Sequence, residues 1–203
     1  MCWSIEASIV TWIIGVVTGI YLLTRRMKND VVMGLLVLTY SSMQLWESFM
    51  WYDQKCGEIN KTGTQLAYYA LWSHVLAIAI GLYFEYGAIT PMFIGVGLLA
   101  YAFITRPPVW GCSKPKNGRR NLVWGFDPQF YTVVFAIAIA LCIYYIRPIE
   151  ISAVISGLFI SSFLLSLLYG WDSETTGSFW CWVCAAFCFV FIYVNRMPAI
   201  HSA

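Results

Sequence analysis

Seven apolar runs, each divided from the next by a polar or Pro/Gly break, constrain this chain more than any other feature. A helix needs about 17–25 mainly apolar residues to cross a bilayer, because its backbone polar groups can be satisfied only within the segment. Runs of that order stand at 5–24, 31–52, 64–85, 88–105, 130–146, 150–170 and 178–195. The breaks are Arg25 to Asp30, Asp53 to Thr62, the tight Tyr86-Gly87, the long Arg106 to Pro128, Arg147-Pro148, and Trp171 to Gly177. Asp30 is placed to cap the second run. Composition agrees: 60% of the 203 residues are hydrophobic and 11% charged, against about 25% charged in soluble domains. The mean hydropathy is +0.71. The sequence therefore predicts an all-α integral membrane protein, one domain over 1–203, with seven transmembrane helices and a long extramembrane loop at 106–128.

Charge sets an expected orientation. Arg25, Arg26 and Lys28 fill the first short loop, and Arg147 and Arg196 fall on the same side, which makes that side cytoplasmic. The opposite side holds more basic residues, but most sit in the long loop, and the first short loop usually dominates insertion. The N-terminus is then outside and the C-terminus inside. Asn60-Lys61-Thr62 is a glycosylation sequon on the outer side. Cys56 and Cys112 lie in the second and fourth loops, where an oxidising compartment would let them pair in a disulfide. The first residues lack a basic segment and a cleavage site, so Met1 and Cys2 are expected to remain. A net charge of +2 without a basic stripe argues against a nucleic-acid partner. That leaves the lipid bilayer, an unspecified redox partner and scope for a homo-oligomer. Gly15 and Gly19 form a G-x-x-x-G whose ordinary use is close helix approach.

The stretch Met43 to Trp51 carries the chemistry. Glu47 is a carboxylate inside an apolar run, which costs free energy unless something binds it. Met43 and Met50 flank it at i−4 and i+3, so the three side chains share one helical face. Counting from the outer end of the second span puts Met43 roughly 13 Å deep and Glu47 roughly 7 Å. His74, in the inward-running third span, lies about 15 Å deep, level with Met43 rather than Glu47. Cys2 precedes the first span on the same side and can fold over the bundle mouth. A thiol, a thioether and an imidazole form a soft set that suits copper better than zinc or calcium. The plainer alternative is that the methionines only fill space, that His74 bonds a hydroxyl such as Ser42, Ser73 or Tyr40, and that Glu47 is a protonated acid bonded to Tyr69, a backbone carbonyl or His74.

Other constellations are weaker. Cys181, Cys184 and Cys188 share a stripe of the seventh span, where small apolar packing is the ordinary role; Cys142 reads as structural. A proton path through Glu6, Glu47, His74 and Glu85 has only two groups at mid-depth. Every lysine lies in a loop, which argues against a retinal Schiff base. No inverted repeat stands out. Most tryptophans fit an interfacial belt, while Trp46 and Trp72 flank Glu47 and His74 in sequence and would shield them from water.

The opening Met-Cys-Trp-Ser, the pattern Ser42 to Trp51, and the following Cys56 and Asn60 resemble a family of short seven-span membrane proteins found in giant viruses and eukaryotic microbes. The resemblance implies copper bound within the membrane, with Cys2, Met43, Glu47 and His74 as the positions involved. The expected function is copper binding for electron transfer or copper storage. The alternatives are a small transporter or channel lined by Glu47 and His74, or a structural membrane protein of a virion or organelle.

Overall fold

A computed structural model of the chain describes residues 4–115, 121–126, 131–170 and 187–194. They form seven helices and one short hairpin: α1 (Ile5–Arg25), α2 (Asp30–Tyr52), α3 (Glu58–Tyr86), α4 (Thr90–Ile104), β1 (Lys114–Pro115), β2 (Leu122–Val123), α5 (Tyr131–Tyr145), α6 (Ile149–Gly170) and α7 (Phe187–Val194). The termini follow local chemistry. Ser4 caps α1 by accepting from the Ala7 N–H at 3.2 Å. Gly87, at φ +66°, ends α3 in the left-handed conformation that glycine adopts without strain.

The helical architecture is as the apolar runs predict. By length and composition α1, α3 and α6 are long and apolar enough to cross a membrane. Helices α4 and α5 have 15 residues each, about 22 Å at 1.5 Å per residue, against a hydrocarbon core of about 30 Å. Helix α2 has the length, but its C-terminal half spends positions on Gln44, Glu47 and serines. Helix α3 starts at Glu58, two turns before the apolar run, so the loop after α2 is only a short turn.

The best-packed part of the molecule is the antiparallel trio α1–α2–α3. Gly15 meets Ser41, and Gly19 meets Leu38 and the Gly34 carbonyl, so the G-x-x-x-G of α1 lets α2 approach closely. Across the next seam, Gly63 sits against Trp46 and Met50, and Gly81 against the Val32 backbone. A Cβ at Gly81 would lie 2.5 Å from Val32 Cα. Between these glycines, Ala67, Ala70, His74 and Ala77 follow at spacings of three and four, a coiled-coil-like seam of small residues. The matching α2 face, Val32, Leu36, Tyr40, Met43, Glu47 and Met50, is buried throughout. Large side chains on α2 thus lie over small ones on α3, with His74 the single large polar member of the small side.

Side-chain bonds close both ends of the bundle. At the arginine end, Arg25 holds Asp30 through two contacts of 2.6 and 2.8 Å and donates to the Ile192 carbonyl of α7 at 2.9 Å. Buried Asn29 donates to the Arg147 carbonyl at 3.0 Å and bonds Tyr86. Glu85 accepts from the Val31 N–H at 2.9 Å. At the other end, the loop after α4 folds back over α2 and α3. Lys114 pairs with Val123 and Pro115 with Leu122, and the Gly111 N–H bonds the Gly125 carbonyl at 2.8 Å. Leu122, Trp124 and Phe126 alternate inward and are buried.

Candidate functional site

The C-terminal half of α2 and the N-terminal half of α3, roofed by this hairpin, hold Met43, Glu47 and Met50. Met43, Glu47 and Met50 are all fully buried at the inner face of α2. Glu47 Oε1 accepts a hydrogen bond from Trp124 Nε1 at 3.1 Å, so a residue of the long loop meets the carboxylate. Trp124 stacks on Phe126 at 5.3 Å between ring centroids. Phe126 and Trp110 in turn pack edge-on against Tyr68 of α3. The loop thus adds to the water-excluding cover, while Trp72 is itself buried and Trp46 packs against the core.

The seam register separates the two titratable groups. With Gly63 opposite Met50 and Gly81 opposite Val32, Ala67 falls opposite Glu47, Ala70 opposite Met43, and His74 opposite Thr39 and Tyr40. His74 is then about 6 Å along the axis from the level of Met43 and about 12 Å from that of Glu47. The sequence-based depths made Met43 and His74 level; the correction arises because they were counted from the ends of apolar runs, not from the packed seam. His74 Nδ1 lies 2.8 Å from the Leu71 carbonyl of its own helix. A carbonyl only accepts, so Nδ1 carries the hydrogen, and in the neutral ring Nε2 bears the lone pair.

Cys2 lies outside the described residues, as do Cys181 and Cys184. Cys188 is fully buried, with its Sγ 3.7 Å from the Tyr40 hydroxyl. Cys142 is also buried and free. Glu6 is exposed and Glu85 is bonded to the α2 terminus, so neither continues a path from Glu47. Among the described residues no three His, Cys, Asp or Glu side chains gather as a metal-holding group. A metal in this seam would need the thioethers.

Cys56 and Cys112 form a disulfide with Cα atoms 5.4 Å apart, tying the α2–α3 turn to the hairpin loop. Beside it is a polar knot that sequence reasoning missed. Asn60 Nδ2 donates to the carbonyls of Ser113 at 2.7 Å and Met50 at 3.2 Å, while its Oδ1 accepts from the Ser113 N–H at 3.0 Å. The Ser113 hydroxyl bonds Thr64 Oγ1 and the Gly125 N–H, each at 2.8 Å. Asn60, the acceptor of the sequon, is fully buried here, and both of its amide hydrogens are engaged. Trp124 was legible in part, because Leu122, Trp124 and Phe126 have the period-two spacing of a strand with one buried face. Nothing local marked Ser113.

Together these features define a predominantly helical protein, apolar enough for a membrane, with a buried acid–thioether face roofed by a disulfide-tied hairpin. Compared with known proteins, the chain matches no family profile, no curated protein and no solved structure.

Proposed function

We propose that this is a seven-span membrane protein, N-terminus outside, that binds copper in the α2–α3 seam beneath the hairpin. The observation that carries the reading is the burial of Met43, Glu47 and Met50 on one face of α2, with His74 one turn from Met43 and holding its Nε2 lone pair toward a metal-competent tautomer. A thioether, an imidazole and a thiolate favour the soft cuprous ion over zinc or calcium. Met43 and His74 are the ligands on the described helices, with Cys2 as the third. Glu47, bonded by Trp124 one turn from Met43, acts beside the site rather than as a direct ligand. Such a site serves copper storage or one-electron transfer.

The test is titration of the detergent-purified protein with cuprous ion against a chromophoric chelator, with elemental analysis. We expect one copper per chain, at least tenfold weaker binding in Met43→Leu and in His74→Gln, and retained stoichiometry in Glu47→Gln. Protein that takes up no copper while remaining folded would sink the proposal. A transporter lined by Glu47 and His74 is the second reading, favoured by their burial in an apolar bundle. Ion flux into liposomes, abolished by Glu47→Gln, would select it.

A further inference from the structure

We propose that the Cys56–Cys112 disulfide is a redox latch on the hairpin, and that its reduction by a dithiol uncovers Glu47. The proposal rests on the reading of the α2–α3 seam as the binding site, since it concerns access to that site. With the hairpin in place Glu47 has 0% exposure, and the group covering its Oε1 is Trp124 of the hairpin itself. Anything approaching the seam from this end must displace that indole. Among the described residues the hairpin loop has one covalent tie to the helices beneath it, and that tie lies at the edge: Cys56 is exposed and Cys112 half-buried. The other ties are non-covalent: hydrogen bonds on the next residue, Ser113, and on Trp124, and the ring contacts of Trp110 and Phe126 with Tyr68. Closing a loop between Cys56 and Cys112, 56 positions apart, holds those bonds together by limiting how far the hairpin can travel once they break.

The chemistry balances as thiol–disulfide exchange. A reductant thiolate attacks Cys56 Sγ, the Cys56–Cys112 bond breaks, and Cys112 leaves as a thiolate that takes up a proton. The second reductant thiol then displaces Cys56 from the mixed disulfide. Two electrons and two protons pass to the protein, and the dithiol becomes a cyclic disulfide.

The test uses the full chain in detergent with chelator present, before and after dithiothreitol. Dicyclohexylcarbodiimide, an apolar carboxyl reagent, is the probe, and adducts on Glu47 are quantified by peptide mass spectrometry. We expect at least a tenfold rise on reduction, reversed on reoxidation. Trp124→Phe should raise labelling with the disulfide intact, because the indole N–H is gone. Unchanged labelling when both cysteines are shown to be free thiols overturns the latch. So does reduction that raises hydrogen exchange in α2 and α3 as much as in 111–126, since the disulfide would then staple the whole fold. Because labelling needs no metal, gated labelling without copper uptake would overturn the copper reading alone, and ungated labelling with copper uptake would overturn the latch alone.

Discussion

Glu47 illustrates how a single buried atom sets the cost of a substitution. Its Oε1 satisfies the Trp124 indole, which can only donate, in a place water does not reach. Glu47→Gln keeps an acceptor there and should change thermal stability by less than about 1 kcal/mol. Glu47→Ala removes it, strands the indole N–H, and should cost about 1–3 kcal/mol. Melting followed by tryptophan fluorescence separates the two, and Trp124→Phe combined with Glu47→Ala should cost less than the sum of the single changes. Asn60 has more at stake, because its side chain makes two bonds to Ser113 of the hairpin and a third to the Met50 carbonyl of α2. Asn60→Ala should lose about 3 kcal/mol, and hydrogen exchange should speed up first at residues 111–115 and 121–126.

Among the elements, the α2–α3 pair depends on how near two backbones can come. Gly81→Ala places a methyl 2.5 Å from Val32 Cα, a backbone atom that cannot step aside, so the helices must part. The expected loss is about 1–3 kcal/mol. Gly97→Ala on α4 is the control: nothing lies within 4 Å of the added carbon, and higher helix propensity should stabilise by up to about 1 kcal/mol. Much at this level was legible in the sequence. Continuous apolar runs gave the helices, and spacings of three and four gave the face shared by Met43, Glu47 and Met50. The run boundaries misled where polar residues continued a helix, as from Glu58 to Gly63, because local hydropathy does not register side chains satisfied by a distant loop. The hairpin was hidden for the same reason. Its Lys, Pro and Gly composition reads as solvated loop, and only the inward Leu122, Trp124 and Phe126 betray that it covers something.

For the whole molecule, the arginine end joins segments far apart in sequence. Arg25 reaches from α1 through Asp30 of α2 to the Ile192 carbonyl of α7. Arg25→Ala leaves Asp30 buried without its guanidinium and frees α7, and should cost about 3–5 kcal/mol; Arg25→Lys keeps the charge but loses the forked geometry and should recover only part of it. Thermal melts of the three proteins at one detergent concentration check the order. No sequence pattern could supply these long-range bonds, since each partner is an ordinary loop or helix-end residue until the fold brings them together. The Asn60–Ser113 knot carries one more consequence, for biosynthesis. The acceptor of the Asn60-Lys61-Thr62 sequon is open only while the hairpin has not yet closed over it. Oligosaccharide transfer and folding therefore compete for the same amide. In a secretory membrane, a glycosidase-sensitive band would mark the chains that lost that race, and its intensity would be a clock for how fast the lid shuts.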